Sequence, residues 1–205
     1  MDALNIYGGF RPTMEMIMED LVNRIKDYNE AEKTSMGLPI YEHLIARIKT
    51  ESSMAEKCRR RNLPETPESA LCELYDSIGI RIVCNFIDDI YKNIRNLKRF
   101  RDCRVVMEKD YIKQAKDNGY RSYHLILEVT APYTDIKGRN PGKFFVEIQL
   151  RTIAMDSWAS LEHQMKYKKE IRNQELIVYE LKRLADELAS CDISMQTIRN
   201  LIERS

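Results

Sequence analysis

Between Lys143 and Arg151 the chain alternates without a break: Phe144, Val146, Ile148 and Leu150 point one way, and Phe145, Glu147, Gln149 and Arg151 the other. A period of two is the period of a half-buried strand, with an apolar face for the core and a face bearing an acid, an amide and a guanidinium. A strand that aims a carboxylate and an arginine at one patch can floor a site. An amphipathic edge strand with a solvated polar face carries the same pattern. Upstream, the stretch 118–129 (NGYRSYHLILEV) predicts a companion strand from about Ser122. The Pro/Gly-punctuated segment 131–142 predicts a hairpin with a long loop between the two strands.

With 33 basic and 32 acidic residues, no global field favours nucleic acid or a membrane, and a phosphate site must come from local clustering. The five cysteines are scattered, with no CxxC pair, which predicts inert thiols in a reduced, cytoplasmic setting. No apolar run reaches membrane-spanning length and no signal-peptide core opens the chain, so a soluble protein that is not exported by that route is expected. A length of 205 residues predicts one domain, 1–205, with a core at about 39–167, an N-terminal helix at about 13–34 and a helical extension at about 170–205.

Met14, Ile17, Met18, Leu21, Val22, Ile25 and Tyr28 recur at helical spacing behind Pro12 and Thr13. A second helix is expected from Pro39 to about Asn62. Along it Lys49, Ser53, Lys57 and Arg60 form a row near Arg47, Arg59 and Arg61. Such a row can hold phosphates through charge-assisted hydrogen bonds, or it can be a solvated face. After a loop at 63–69 and a short helix to Tyr75, Asp76 precedes a strand in which Ile80, Ile82, Cys84 and Phe86 alternate with Arg81, Val83 and Asn85. An Asp there can cap a turn or bind a metal at the sheet edge. A helix at 88–100 and a short strand at 103–107 follow. Then Lys109, Lys113, Lys116 and Arg121 are interleaved with Tyr111, Tyr120 and Tyr123, a mixture that suits a nucleotide, or lysines solvating half-buried tyrosines. Helices are expected at 152–167 and from about Glu175 onward. The last one is long enough to dock a partner subunit or to pack on its own domain.

The four blocks RIKTESSMAEKCRR, DSIGIRIVCNF, KDYIKQAKDNGYRSYH and VEIQLRTIAMDSWASLEH, in that order, resemble the RelA/SpoT-type alarmone synthetases, above all their small single-domain members. The resemblance spans roughly 39–167. It implies an α+β fold, a nucleotidyltransferase-like mixed sheet flanked by helices with helical N- and C-terminal extensions. It also implies transfer of the β,γ-diphosphate of ATP to the 3′-hydroxyl of GTP or GDP, giving pppGpp or ppGpp and AMP. Carried over by position, Arg47, Lys49, Ser53, Lys57, Arg60 and Arg81 would hold ATP. Asp76 and Glu147 would be the catalytic acids at a Mg²⁺ ion, with Glu147 orienting or deprotonating the 3′-hydroxyl. Lys109, Lys116, Tyr120, His124, Gln149, Arg151, Asp156 and Glu162 would serve GTP or GDP, with Tyr120 stacking on guanine and Asp156 reading its N1–H and exocyclic amine. His163 is a capping or packing residue as readily as a site residue, His43 has no assigned chemistry and Trp158 belongs to the core.

The resemblance further implies a homo-oligomer, a tetramer in the small members. An allosteric role for (p)ppGpp or RNA stays open. Two departures matter. None of the three histidines is followed by Asp, so the hydrolase dyad of the long members is missing and product hydrolysis is not expected. The run 107–110 (MEKD) lacks the first residue of the long members' motif, which leaves GTP against GDP undecided. Competing readings are a toxin-like relative that modifies tRNA 3′ ends or adenine nucleotides, and a silent nucleotide- or RNA-binding regulator. Asp76, Glu147 and the neutral charge balance argue against the regulator.

Overall fold

The structure, a computed structural model, describes residues 5–167 and 173–204. Five strands, β1 (His43–Ile48), β2 (Ile78–Cys84), β3 (Cys103–Asp110), β4 (Tyr123–Ala131) and β5 (Gly142–Thr152), make one sheet in the order β1-β2-β5-β4-β3. β2 and β5 run parallel and every other neighbouring pair antiparallel, so the expected mixed sheet is present.

The alternation of β5 decides which face is which. Ile80, Ile82, Leu125, Leu127, Val146, Ile148 and Leu150 are each at most 1% exposed and form the inner face. They meet Met14, Ile17, Leu21 and Ile25 of α1 (Arg11–Met36) and Ile90, Ile94 and Leu97 of α3 (Ile87–Leu97). Burial of each such side chain contributes about 1.5–3 kcal/mol. A one-residue slip of β5 would exchange that row for Glu147, Gln149 and Arg151, so the register is strongly held. α1 opens on Pro12 and closes on Gly37, whose φ of 79° is costly for a residue with a Cβ and whose N–H reaches the Lys33 carbonyl.

One element differs from the sequence expectation. The helix expected from Pro39 to Asn62 is instead β1 followed by α2 (Glu51–Arg60), with Thr50 capping α2 by accepting from the Ser53 N–H. Arg47 and Lys49 therefore do not share a helix with Lys57 and Arg60. Two buried asparagines set this boundary. Asn29 accepts from the Ile40 N–H and Asn93 donates to the Ile40 carbonyl, which ties the entry of β1 to α1 and α3. Pairing with β2 then overrides a sequence of adequate helix propensity.

β3 continues past Met107 to Asp110, and the short helix before Tyr75 is a single wide turn, Ser69–Glu73. α4 (Ile153–Tyr167) and α5 (Gln174–Glu203) close the chain. Residues 168–172 of the expected C-terminal extension lie outside the described residues. Among the described residues no helix is long and apolar enough to cross a membrane.

Candidate active site

Directly paired residues share a face of a sheet, so the ladder lays out the outer face row by row. One row runs Arg47, Gly79, Glu147, Ile126 across β1, β2, β5 and β4. The next runs Ile45, Arg81, Gln149, His124, Lys109 across all five strands. At ~4.8 Å per strand this strip is on the order of 19 Å across. It carries arginines at the β1 end, Glu147 in the middle and an imidazole and lysine at the β3 end.

Asp76 lies at the strip's edge, two residues before β2. The Lys49 N–H donates to the Ser77 carbonyl and the Tyr7 hydroxyl donates to the Lys49 carbonyl at 2.7 Å, so the backbone beside Asp76 is clamped. The Lys49 ammonium pairs with Asp76 Oδ2, and the Lys57 ammonium reaches the same oxygen at 2.6 Å. Burial pushes the Asp76 carboxyl up, but these two cations outweigh it and hold it below the usual carboxylate range. Its Oδ1 is buried and makes no hydrogen bond. Asp76, Glu147, Arg47, Lys49, Arg81 and Gln149 line one open cleft of ≈ 380 Å³, within the range of ligand pockets.

Glu147 is the sink of a ring of hydrogen bonds. Gln149 Nε2 donates to its Oε2 at 3.0 Å and His124 Nδ1 faces its Oε1 at 3.4 Å. Arg151 donates through Nη2 to Gln149 Oε1 at 3.0 Å and to the Tyr120 hydroxyl oxygen at 2.9 Å, and that hydroxyl meets His124 Nε2 at 2.8 Å. With a neutral imidazole, the arrangement that satisfies every member has the Tyr120 hydroxyl donating to His124 Nε2 and Nδ1 carrying the proton that faces Glu147. Burial raises the Glu147 pKa, yet His124 and Gln149 bring it below its ordinary value, while the charge of Asp76 acts upward. Both carboxylates line one cleft, and the charge of Asp76 weighs on Glu147.

They also fit a small hard cation. Asp76 offers a buried oxygen without a partner, and Glu147 borders the same cleft. Among the described residues no group of three or more His, Cys, Asp or Glu could hold a metal, so water and substrate oxygens would complete the shell, as magnesium favours.

The β3 end is aromatic. Tyr111, Tyr120 and His124 meet edge to face at centroid distances of 5.4–6.0 Å, and Tyr120 also meets Trp158 at 6.2 Å. The Lys116 ammonium sits 4.7 Å from the Tyr111 ring centre and 4.9 Å from that of Tyr120. Cations at phosphate reach beside rings that can stack a base are the two parts of a nucleotide site.

The model for the region found in RelA / SpoT proteins matches residues 46–172. This chain belongs to the RelA/SpoT family. It is 39% identical over 163 residues to the GTP pyrophosphokinase YwaC of Bacillus subtilis (strain 168), covering 79% of this chain and 75% of that one. To the GTP pyrophosphokinase YjbM of the same organism it is 35% identical over 164 residues, 80% and 74% of the two chains. Among solved structures, small alarmone synthetase 1 from Bacillus subtilis bound to its product pppGpp superposes with a TM-score of 0.81 at 31% identity, over 94% of this chain and 95% of that one. The same enzyme bound to AMPCPP gives 0.75 at 29% identity, over 96% of each chain.

Against this family background the structure brings together most, not all, of the residues picked from sequence. Arg47, Lys49, Arg81, Asp76, Glu147 and Gln149 share the cleft, and Lys57 reaches it through Asp76. Ser53 and Arg60 are exposed near opposite ends of α2 and are not among the cleft's lining residues. Lys109 pairs across the ladder with His124, and Glu162 accepts from Asn118 Nδ2 at 3.2 Å. Asp156 stands between the halves: its Oδ1 takes Arg151 at 2.9 Å from one side and Arg81 at 3.3 Å from the other. Three contributors escaped the sequence reading. Tyr7 sits in an N-terminal segment without periodicity, Ile45 was assigned to a helix, and Asn118 reads as a turn residue. An Asn two positions before Tyr120, in a loop already rich in cations, was the available signal for the last.

Proposed function

We propose that this protein transfers the β,γ-diphosphate of ATP to the 3′-hydroxyl of GTP or GDP, releasing AMP and forming pppGpp or ppGpp. The observation that carries this reading is the single outer-face strip, with cations at one end, rings and cations at the other, Glu147 between them and Asp76 at its edge in the same cleft. On that strip Arg47 and Arg81 take ATP from the β1 side, and Lys49 and Lys57 turn from Asp76 to phosphate oxygens. Ser53 and Arg60, outside the cleft, would meet ATP only at its periphery. Tyr120 stacks on guanine, and Lys109, Lys116, His124, Arg151 and Glu162 face the acceptor's ribose, phosphates or base. A two-handed grip by Asp156 on guanine N1–H and its amine requires the acceptor to displace Arg81 and Arg151 from Oδ1.

Magnesium held by Asp76 and Glu147 would neutralise charge on the transferred diphosphate. The 3′-oxygen forms its bond to the β-phosphorus as the bond from that phosphorus to the AMP oxygen breaks, AMP leaving with the electron pair. The hydroxyl proton passes to Glu147. A carboxylate with a lowered pKa is a weak base, which a loose phosphoryl-type transition state tolerates, so Glu147 acts mostly by orienting the hydroxyl.

The test is an acceptor screen: pure protein with ATP, Mg²⁺ and, separately, GTP, GDP, AMP or deacylated tRNA, with products separated by ion exchange and identified by phosphorus NMR. One AMP released per 3′-diphosphorylated guanine nucleotide is expected. Modification of tRNA or AMP alone would overturn the guanine reading. In the same assay Tyr120→Ala is expected to raise the guanine nucleotide's KM roughly tenfold or more, since stacking a base is worth about 1–3 kcal/mol, and to leave the ATP KM within about twofold. Equal losses for both substrates would contradict the stacking role.

Self-association belongs to the same reading. α5 exposes Val178, Tyr179, Ile193, Ile198 and Ile202, by 51, 64, 62, 57 and 70%, and a helix this apolar on its outer side is best covered by another copy. Sedimentation velocity at micromolar concentration is expected to show a tetramer, and a monomer would refute this.

A further inference from the structure

The outer side of α5 is apolar, but its inner side meets the acceptor half of the strip through three polar or close contacts. The Arg121 guanidinium, two residues before β4, pairs with Asp186 at 3.3 Å. Gly119, at a φ of +89°, lies so close that a Cβ there would meet the Ala185 methyl at 2.5 Å. Trp158 of α4, whose ring touches Tyr120, donates its indole N–H to the Leu181 carbonyl at 2.7 Å.

The fourth contact is a buried carboxylate. Asp192 is 2% exposed, and its Oδ2 accepts from the Thr152 hydroxyl at 2.7 Å. Thr152, fully buried, ends β5, and its Oγ in turn accepts from the Met155 N–H at 3.1 Å in the first turn of α4. A hydroxyl that receives a first-turn N–H is a helix cap, and here its own proton is aimed by a residue 40 positions later. On either side of this relay lie Arg151 at the end of the strip and Asp156 one turn into α4. Turning Thr152 would shift both, and with them the hydrogen bond from Arg151 to Tyr120.

We propose that Asp192 is a positioning residue for the acceptor nucleotide: through Thr152 it sets the angle at which α4 leaves β5, and so the places of Asp156, Arg151 and Tyr120. The carboxylate touches no substrate. The inference rests on the assignment of these residues to the guanine nucleotide, and it goes beyond that assignment by giving α5 a positioning duty in addition to the proposed oligomeric one. Its selectivity follows from geometry. The Asp192 relay acts on the β5–α4 junction and meets the ATP side only through the Asp156–Arg81 contact at 3.3 Å, whereas Asp76, Lys49 and Lys57 are held by α2, Tyr7 and the start of β2.

The test is steady-state kinetics with each substrate varied in turn, alongside calorimetric binding of GTP alone. Asp192→Ala is expected to raise the KM for GTP about tenfold and to weaken GTP binding to the same degree, with the KM for ATP within about twofold. Asp192→Asn keeps an oxygen for the Thr152 hydroxyl and is expected to stay within about twofold of the parent for both substrates. Parallel rises in both KM values, a fall confined to kcat, or an Asn variant as impaired as the Ala variant would each overturn the proposal. If Asp192→Ala does not fold, Thr152→Val serves instead. It keeps the shape of the side chain but removes the hydroxyl that joins Asp192 to the Met155 N–H, and it is expected to raise the GTP KM about tenfold with the ATP KM within about twofold; no change would equally overturn the proposal. A parent protein that neither binds GTP nor turns it over would bring down the functional reading itself, whereas normal parent kinetics with an unaffected Asp192→Ala would bring down only this inference.

Discussion

Asp76→Asn is expected to lower turnover on the order of a thousandfold, or about 4 kcal/mol of transition-state stabilisation. The substitution keeps size and shape but removes the charge on which Lys49 and Lys57 converge, and it halves the carboxylate set available to a cation. Both lysines are only partly buried and Lys49 lines the cleft, so the fold should survive, and far-UV circular dichroism would verify that. A variant retaining more than about a tenth of the parent rate would have lost less than roughly 1.4 kcal/mol, too little for a charge at the reacting phosphorus. The same ion pairs set a pH dependence. The Asp76 pKa is lower in the folded protein than unfolded, so its contribution to stability is complete above the ordinary carboxylate value of about 4 and disappears as pH falls through the lowered folded value. Asp76→Asn should therefore flatten the acid limb of a denaturation profile and leave its neutral region unchanged in shape.

Glu147→Gln is the second large expected effect, again a loss of at least a hundredfold in kcat. Here the reason is partly the geometry of the ring. Glu147 receives protons from both Gln149 and His124, and an amide can accept on only one side. In the variant one of the two oxygens becomes an NH₂ group, so either His124 switches tautomer and reverses its bond with the Tyr120 hydroxyl or the Gln149 amide loses its acceptor, and the ring through Arg151 and Tyr120 is rearranged either way. Loss of kcat should thus come with a rise in the guanine nucleotide's KM, a signature that Asp76→Asn should not show. Because the Glu147 pKa lies below its ordinary value, activity should not decline on its account between pH 7 and pH 5. A Glu147-dependent acid limb within that interval would contradict the assigned electrostatics, and a Glu147→Gln enzyme with a normal KM for both substrates would contradict the ring.

Much of this site was legible in the amino-acid order because it lies on strands, where a period of two sorts side chains by face. Glu147, Gln149 and Arg151 could be assigned to one face of β5 from their spacing, and Arg81 likewise on β2. The error at β1 has the same root. His43 to Ile48 alternates too, but the run is short, and its neighbours Pro39 and the charged row beyond Lys49 read equally well as a helix. The decision fell to Asn29 and Asn93, which grip Ile40 from two other helices. The hydrogen-bonded ring was not legible at all, since its members come from β4, β5 and the loop before β4, and its direction depends on which imidazole nitrogen meets the carboxylate.

The likeness of four sequence blocks pointed to the family, and local periodicity and residue chemistry were enough to establish a sheet with one apolar face and the chemical character of the other face. Those features depend on near neighbours in the chain, and short-range sterics and hydrophobic burial write them directly into the order of residues. Strand order, the placing of Asp76 beside Glu147, the proton arrangement around His124 and the reach of α5 to Thr152 arose only on folding. Each joins groups far apart along the chain, and only the shared core determines which of them meet.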